Sequence, residues 1–498
     1  MKKVIIIGSG IGGLTAGNLL AQKGHQVSIF ESHLTPGGYT AGFCRKGYYF
    51  ESGTVSFEAS SSVFKAMKDI GVLEKIDFER IRARLISEDF DEIPDNYQDY
   101  KKMIYTAFPA EKEQLDLAFS DLDRIMSFMA SMDQPMPNLF SGWEMFKSML
   151  PFILSFPEQN RIFKQFGNMT SSEFAARYFK KDSKLFQLFQ GTSYPDMPAM
   201  FGNGLLSVLS DLWTVKGGMQ SWADTLVQNF KGLGGDLRLK SYVDRIITEN
   251  GAAVGVSCQD TVHYADYVIA ACDYKKTLLK LIDDQSLISP ALQDSIESAA
   301  VSEGCFTVYL GLNISNEELG QYMKVPHVFP FYYQPGYDIY NSDDQEFFSK
   351  TNVYLYSPSM INPQLAPAGK SSLMLQTIVP FRWMNNWGGG DRKAYKQLKE
   401  KAMETMIDNA SRLVPILPEC IEYKDAATPL TYERFTHNSD GATSAWSWNP
   451  NKRFFKNPVS VNIETPVRNL YIGSCWAFQI GGVPGAIAAA YECSKKIK

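Results

Sequence analysis

The side chains that most often carry chemistry unaided are scarce in these 498 residues. Five histidines are scattered without metal-ligand spacing, and the seven cysteines include no C-x-x-C pair. That argues against a zinc centre and against a disulfide framework, and it fits a reducing cytosol. No long basic block occurs, and 49 basic against 54 acidic residues leave a net charge of −5. Nucleic acid is therefore not expected as a partner. No uninterrupted apolar run approaches the ~18 residues of a membrane span. The opening run, Val4 to Ile7, ends in glycine and is too short for a secretory h-region. A cytoplasmic protein is expected, at most peripheral to a membrane.

What remains is an ordinary globular composition, 45% hydrophobic and 21% charged. The length exceeds what one core supports, so two lobes are expected.

The N-terminus holds the strongest pattern. Val4-Ile5-Ile6-Ile7 reads as a strand buried on both faces of a parallel sheet. It runs into Gly8-Ser9-Gly10-Ile11-Gly12-Gly13, then a helical pattern to Ala21, then a second strand, Val27 to Phe30. Gly8 permits a tight turn, Gly10 admits a pyrophosphate against the backbone, and Gly13 lets the helix pack closely. The helix N-terminus offers free N–H groups and a positive dipole end. Glu31, at the end of the second strand, is placed to accept from ribose hydroxyls, with Ser32 beside it. This unit predicts dinucleotide binding without separating NAD from FAD.

Pro36-Gly37-Gly38-Tyr39-Thr40 and then Gly47-Tyr48-Tyr49-Phe50-Glu51-Ser52-Gly53 follow. Here the sequence resembles the phytoene desaturase, carotenoid isomerase and retinol saturase branch of the amine-oxidase-like flavoproteins. The resemblance implies FAD, with Gly37 and Gly38 against the cofactor. Two departures are visible: Glu51 replaces the family's aspartate, and Tyr39 stands where many oxidases carry arginine.

The likeness continues along nearly the whole chain. Lys216-Gly217-Gly218-Met219 precedes a helical pattern from Trp222 to Phe230, and Val243 matches a position whose backbone contacts the adenine end in the family. The alternative for Val243 to Ala271 is generic βαβ structure. Arg468 to Gly473 reads as a buried strand, and Gly481-Gly482-Val483-Pro484-Gly485 opens a last helix, Ala486 to Cys493. The resemblance sets Gly473, Ser474, Gly482 and Val483 around the flavin. Ser474 stands where many relatives have aspartate. Thr428-Pro429-Leu430-Thr431-Tyr432-Glu433-Arg434-Phe435 matches a further family segment. It is expected on the substrate side of the flavin, or else as a structural strand pair.

The expected fold is α/β: a Rossmann-like FAD-binding domain with a discontinuous α+β substrate domain, a mixed sheet plus helices. The FAD domain is expected from 1–75, 210–300 and 431–498, and the substrate domain from 76–209 and 301–430. Cys305 to Leu312 and Leu373 to Val379 read as strands of that mixed sheet. A Phe-, Met- and Leu-rich stretch from Phe140 to Phe174 reads as packed helical core, with an interfacial surface near Phe146 to Phe156, Phe152 included, as the alternative.

No catalytic triad, metal cluster or second G-x-G-x-x-G is present, so no catalytic residue is assigned. Three functions stay open. The resemblance implies a flavin enzyme acting on C–C bonds of an apolar lipid, such as a carotenoid, retinoid or other isoprenoid, by desaturation, saturation or isomerisation. A flavin amine oxidase, using Trp476 and Phe478 beside the flavin, and a non-catalytic flavin-binding protein are the alternatives.

Overall fold

The apolar run at the N-terminus becomes the middle strand of a parallel sheet. In the computed structural model, which describes residues 1–131, 134–154, 156–190 and 195–498, Lys3–Ile7 pairs with Gln26–Phe30 on one side and Tyr267–Ala270 on the other. Asp236–Arg238 and Leu470–Ile472 are the edges of this five-stranded sheet, and every pairing is parallel. A parallel sheet needs cover on its faces, which is why Val4 to Ile7 of the middle strand are apolar and buried. Helix Ile11–Gln22 packs between helices Met219–Gly232 and Gly482–Lys496. Its Leu14 and Leu20 are fully buried, and each contributes about 1.5–3 kcal/mol.

Residues 243–264 are not a βαβ repeat. Val243–Glu249, Ala252–Cys258 and Thr261–Tyr264 form an antiparallel three-stranded sheet. The short connections, turned at Asn250-Gly251 and Gln259-Asp260 with positive φ, leave no room for a crossover helix.

A second, seven-stranded sheet runs in the order 421–427, 304–312, 371–379, 354–356, 327–330, 83–86 and 91–92. It is mixed, as expected. His327–Pro330 pairs in parallel with Ala83–Ile86, and its other pairings are antiparallel. Alternation splits its side chains between two faces. Phe306, Val308, Leu310, Leu373 and Leu375 join the outer core, which Met403, Met406 and Ile407 of helix Arg392–Ser411 complete. Cys305, Tyr309, Met374 and Tyr356 face inward, into an aromatic cluster with Tyr39, Tyr48, Phe50 and Tyr432.

The 384–390 segment is anchored by buried indoles, Trp383 and Trp387. Trp387 stacks on Phe306 at 5.5 Å, and the backbone from Met384 to Gly390 keeps positive φ throughout.

Residues 97–189 build a helical cap with its own core, including Phe119, Ile162, Phe166 and Phe174. The core reading of the aromatic stretch holds for this second half. It fails for helix Gly142–Leu154, whose Trp143 is 65% and Leu154 75% exposed. Met145, Phe146, Met149, Leu150 and Ile153 on that helix, and Phe156 after it, are exposed too. The side chains of Pro151 and Phe152 lie outside the described set. Among the described residues no helix is long and apolar enough to cross a membrane.

Candidate cofactor and substrate site

The glycine-rich turn leaves the first strand and enters the first helix. The Gly8 N–H donates to Phe30 O at 2.8 Å, and its φ of +100° suits only glycine. A Cβ on Gly13 would lie 2.1 Å from Gly8 O, and one on Gly12 would lie 2.4 Å from Gly473 O. Both glycines are therefore packing requirements. Gly10 differs, because a Cβ there would meet nothing within 4 Å. It is the one glycine of the turn that faces open space at a helix N-terminus.

Glu31 is buried at the adjoining strand end. Its Oε2 accepts from the Ser9 N–H and the Ser9 hydroxyl, at 2.9 and 2.7 Å. Its Oε1 accepts from the His33 N–H at 2.8 Å and the Ser32 hydroxyl at 3.2 Å. The carboxylate's roughly four lone-pair positions are thus filled. Two of the donors are hydroxyl rotors, Ser9 and Ser32, free to turn away for a ribose hydroxyl. Ser241 N–H donates to Glu31 O at 2.7 Å, which brings Val243, buried two residues on, to the same end.

The paired glycines dock on this turn. Gly37 N–H donates to Ser9 O at 2.9 Å, and a Cβ on Gly38 would stand 3.2 Å from Gly10 Cα. Thr40 closes the 3-10 turn by donating from Oγ1 to Gly37 O at 2.8 Å. Tyr39 crosses to the C-terminal segment, where its hydroxyl donates to Ala442 O at 3.0 Å. Gly473 N–H donates to Ala270 O at 2.9 Å, and the Ser474 hydroxyl donates to Cys272 O at 2.7 Å. Gly482 and Val483 begin the last helix, which packs against the first. Two helix N-termini therefore serve one end of the parallel sheet.

These residues fit FAD: bare backbone at Gly10 for the pyrophosphate, an acid for the ribose, and a second helix start for the flavin end. Among the aromatics considered for an amine site, Trp476 is committed elsewhere. Its indole N–H donates to Asn438 at 3.1 Å, and its ring packs against Trp446 at 5.0 Å. Burial pushes the Cys272 and Cys475 thiols up to about 12.

Beside the cofactor residues stands the inner face of the seven-stranded sheet. Tyr432 stacks on Tyr39 at 5.8 Å and shares a 2.7 Å hydrogen bond with Thr307. Gln376 donates to Thr307 at 3.3 Å, and the Tyr309 and Tyr432 hydroxyls are 3.5 Å apart. Burial raises both phenols, so they remain protonated. Inward-facing Cys305, Thr307, Tyr309, Met374, Gln376, Ile378, Tyr354 and Tyr356, on the three central strands, are uncharged at neutral pH.

The Thr428 segment is neither of the strands expected of a strand pair. It is helix Pro429–Thr436, capped by the Thr428 hydroxyl and closed by Thr431 in a capping box, with Pro429 in its first turn. This helix carries Tyr432 to Thr307.

Glu51 is the buried acid of the region. It accepts from Met219 N–H at 3.1 Å and from the Tyr49 hydroxyl at 2.7 Å, at the start of helix Met219–Gly232. Desolvation pushes its carboxyl up to about 8 against these bonds. Thr307 had no sequence motif to single it out. Thr307 is recognisable only once strand pairing sets it opposite Gln376.

Residues 11–498 match the model of the flavin containing amine oxidoreductase family. The chain belongs to that family, is a flavin-dependent oxidoreductase, and takes FAD as its cofactor. It is 27% identical to a 4,4'-diapophytoene desaturase of Methylomonas sp, over 91% of this chain and 88% of that protein. It is 24% identical to the all-trans-retinol 13,14-reductase of Danio rerio, over 99% of this chain and 85% of the other. It is also 24% identical to the chloroplastic prolycopene isomerase of Arabidopsis thaliana, over 98% and 80%. Among solved structures, a putrescine oxidase variant aligns over 100% of this chain and 98% of its own, with a TM-score of 0.66 and 14% identity. That likeness shows the fold.

Proposed function

We propose that this protein acts on a C–C bond of a long apolar isoprenoid, a carotenoid or retinoid among the candidates. The observation that carries the reading is the uncharged, aromatic inner face described above. Relatives covering 91–99% of the chain are named as a polyene desaturase, a retinol reductase and a polyene isomerase, which supports it.

Bound FAD supplies hydride transfer through its N5. Gly8, Gly10, Gly12, Gly13, Glu31, Ser32, Gly37, Gly38, Tyr39, Thr40, Val243, Gly473, Ser474, Gly482 and Val483 are the residues we assign to holding it. The N-terminus of the last helix favours negative charge at the flavin end. Tyr39, Tyr309, Tyr356 and Tyr432 wall the substrate, exclude water and keep their protons. A lobe for the cofactor, from 1–75, 210–300 and 431–498, and a lobe for the substrate, from 76–209 and 301–430, complete the assignment.

The apolar tip at Trp143 to Phe156 fits peripheral contact with a lipid surface. Its exposed Trp143 and Phe146 rings stack at 5.0 Å, and Lys147 lies between them and the remaining apolar residues. A lipid surface is also where such a substrate resides.

The test is anaerobic. Photoreduced holoprotein is mixed with carotenoids and retinoids in detergent, and the oxidised form is mixed with their more saturated precursors. Reoxidation with a saturated product identifies a saturase, and bleaching by the precursor identifies a desaturase. An isomerised polyene with flavin unchanged identifies an isomerase. Indifference to every lipid, with rapid bleaching by amines, overturns the reading.

A further inference from the structure

Among the described residues, the inner face of the seven-stranded sheet holds two buried side chains with an unpartnered polar atom, the Ser372 hydroxyl and the imidazole of His327. His327 opens strand His327–Pro330 and pairs with Tyr356 on one side and Ala83 on the other. Its neighbour Val328 points to the outer core with Leu355. His327 and Phe329 therefore share the inner face with Tyr354 and Tyr356. His327 is 5% exposed, and its Nε2 has no hydrogen-bond partner among the described residues. Its nearest rings are Tyr356 at 4.7 Å and Phe329 at 5.4 Å. Burial pushes the imidazole down to about 3, so it is neutral at working pH.

Buried polar atoms are nearly always paired, and an orphan calls for an explanation. A neutral imidazole offers one donor and one acceptor. A hydroxyl satisfies whichever of the two Nε2 presents. Tyr354, on the same face, also lines a cleft of about 70 Å³ together with Phe331, Leu188, Ile378 and the charged Glu88, Asp89 and Lys184. Phe329 is half-buried, with its ring 5.3 Å from Tyr354, which lines the cleft.

We propose that His327 binds a hydroxyl of the substrate, so that the site takes a hydroxylated isoprenoid in preference to the bare hydrocarbon. The inference rests on the inner face being the substrate wall. His327 and Thr307 lie on strands three steps apart, roughly 14 Å at ~4.8 Å per step. The hydroxyl therefore belongs to the end of a long chain remote from Thr307 and Tyr432.

The experiment measures binding to the FAD-loaded protein from the absorption shift of the polyene. Lycopene and its 1-hydroxy derivative are the probes. The wild type binds the alcohol about tenfold more tightly or better, the ratio expected of one buried hydrogen bond. His327→Leu brings the ratio to about one while keeping hydrocarbon binding, and His327→Gln restores part of it. Because the leucine variant removes an unpaired buried atom, its Tm holds or rises; a purely structural histidine would lose Tm and leave the ratio alone. A ratio near one in the wild type, or one that survives His327→Leu, overturns the inference and spares the proposed function. Failure of both polyenes to bind overturns both.

Discussion

Glu31 Oε2 takes two hydrogen bonds from one residue, the N–H and the hydroxyl of Ser9, at 2.9 and 2.7 Å. The backbone bond fixes the carboxylate over the glycine turn. The hydroxyl bond is exchangeable. Replacing Glu31 by Gln keeps an acceptor and removes the charge, so FAD affinity falls by about 10- to 100-fold, the loss of one charge-assisted hydrogen bond. Ser9→Ala removes only the exchangeable donor and changes affinity by less than about fivefold. Fluorescence titration of apoprotein with FAD measures both.

Gly10 and Gly12 separate binding from folding. A Cβ at Gly10 meets no protein atom within 4 Å, whereas a Cβ at Gly12 meets Gly473 O at 2.4 Å. Gly10→Val therefore leaves the melting temperature of the apoprotein within a few degrees of wild type and lowers FAD affinity by at least about 100-fold. Gly12→Ala destabilises the apoprotein itself by about 1–3 kcal/mol. Thermal melts without cofactor distinguish the two, and equal losses would refute the assignment.

The Glu51 carboxyl is raised from 4.5 to about 8 in the folded protein. The native state therefore keeps a proton that the unfolded chain gives up. The stability this confers is complete below the unfolded value and is lost as pH rises through about 8. Glu51→Gln retains acceptors for Met219 N–H and the Tyr49 hydroxyl and does not titrate. Between pH 4.5 and 8.5, wild type loses on the order of 2–4 kcal/mol relative to Glu51→Gln in urea melts. Parallel pH profiles would show that the Met219 and Tyr49 bonds hold the acid ionised.

Trp143, Phe146 and Phe156 are exposed. Changing all three to Ser alters stability by no more than about 1 kcal/mol, because surface positions contribute little. If the tip contacts lipid, the same triple variant loses flotation with liposomes that retain the wild type. Unchanged flotation would place the contact elsewhere.

Much of the cofactor frame was legible in the sequence, because few residues satisfy its backbone demands. Gly8 needs its φ of +100°, Gly13 meets the Gly8 carbonyl, and both follow a strand recognisable from four apolar residues. The inner face was not legible. His327 acquires its neighbours only when strand 327–330 pairs with 354–356 and 83–86, segments far apart in the chain. The aromatic stretch misled because Phe146 and Phe166 have the same local pattern, and only packing sets one outside and one inside. The T-P-x-T segment did hold its own answer, a capping box with Pro in the first turn, which outweighs its reading as strand.

The contact of Gly12 with Gly473 O, and of the first helix with the last, also bears on synthesis. A ribosome makes the glycine turn, residues 8–13, long before the helix that closes beside it, residues 482–496. Strand Lys3–Ile7 waits for Tyr267–Ala270, and that strand waits for Leu470–Ile472. Strand Lys3–Ile7 thus lacks part of its cover until the distant segments have been made. Until that cover arrives, the exposed apolar surface makes the incomplete chain prone to aggregate.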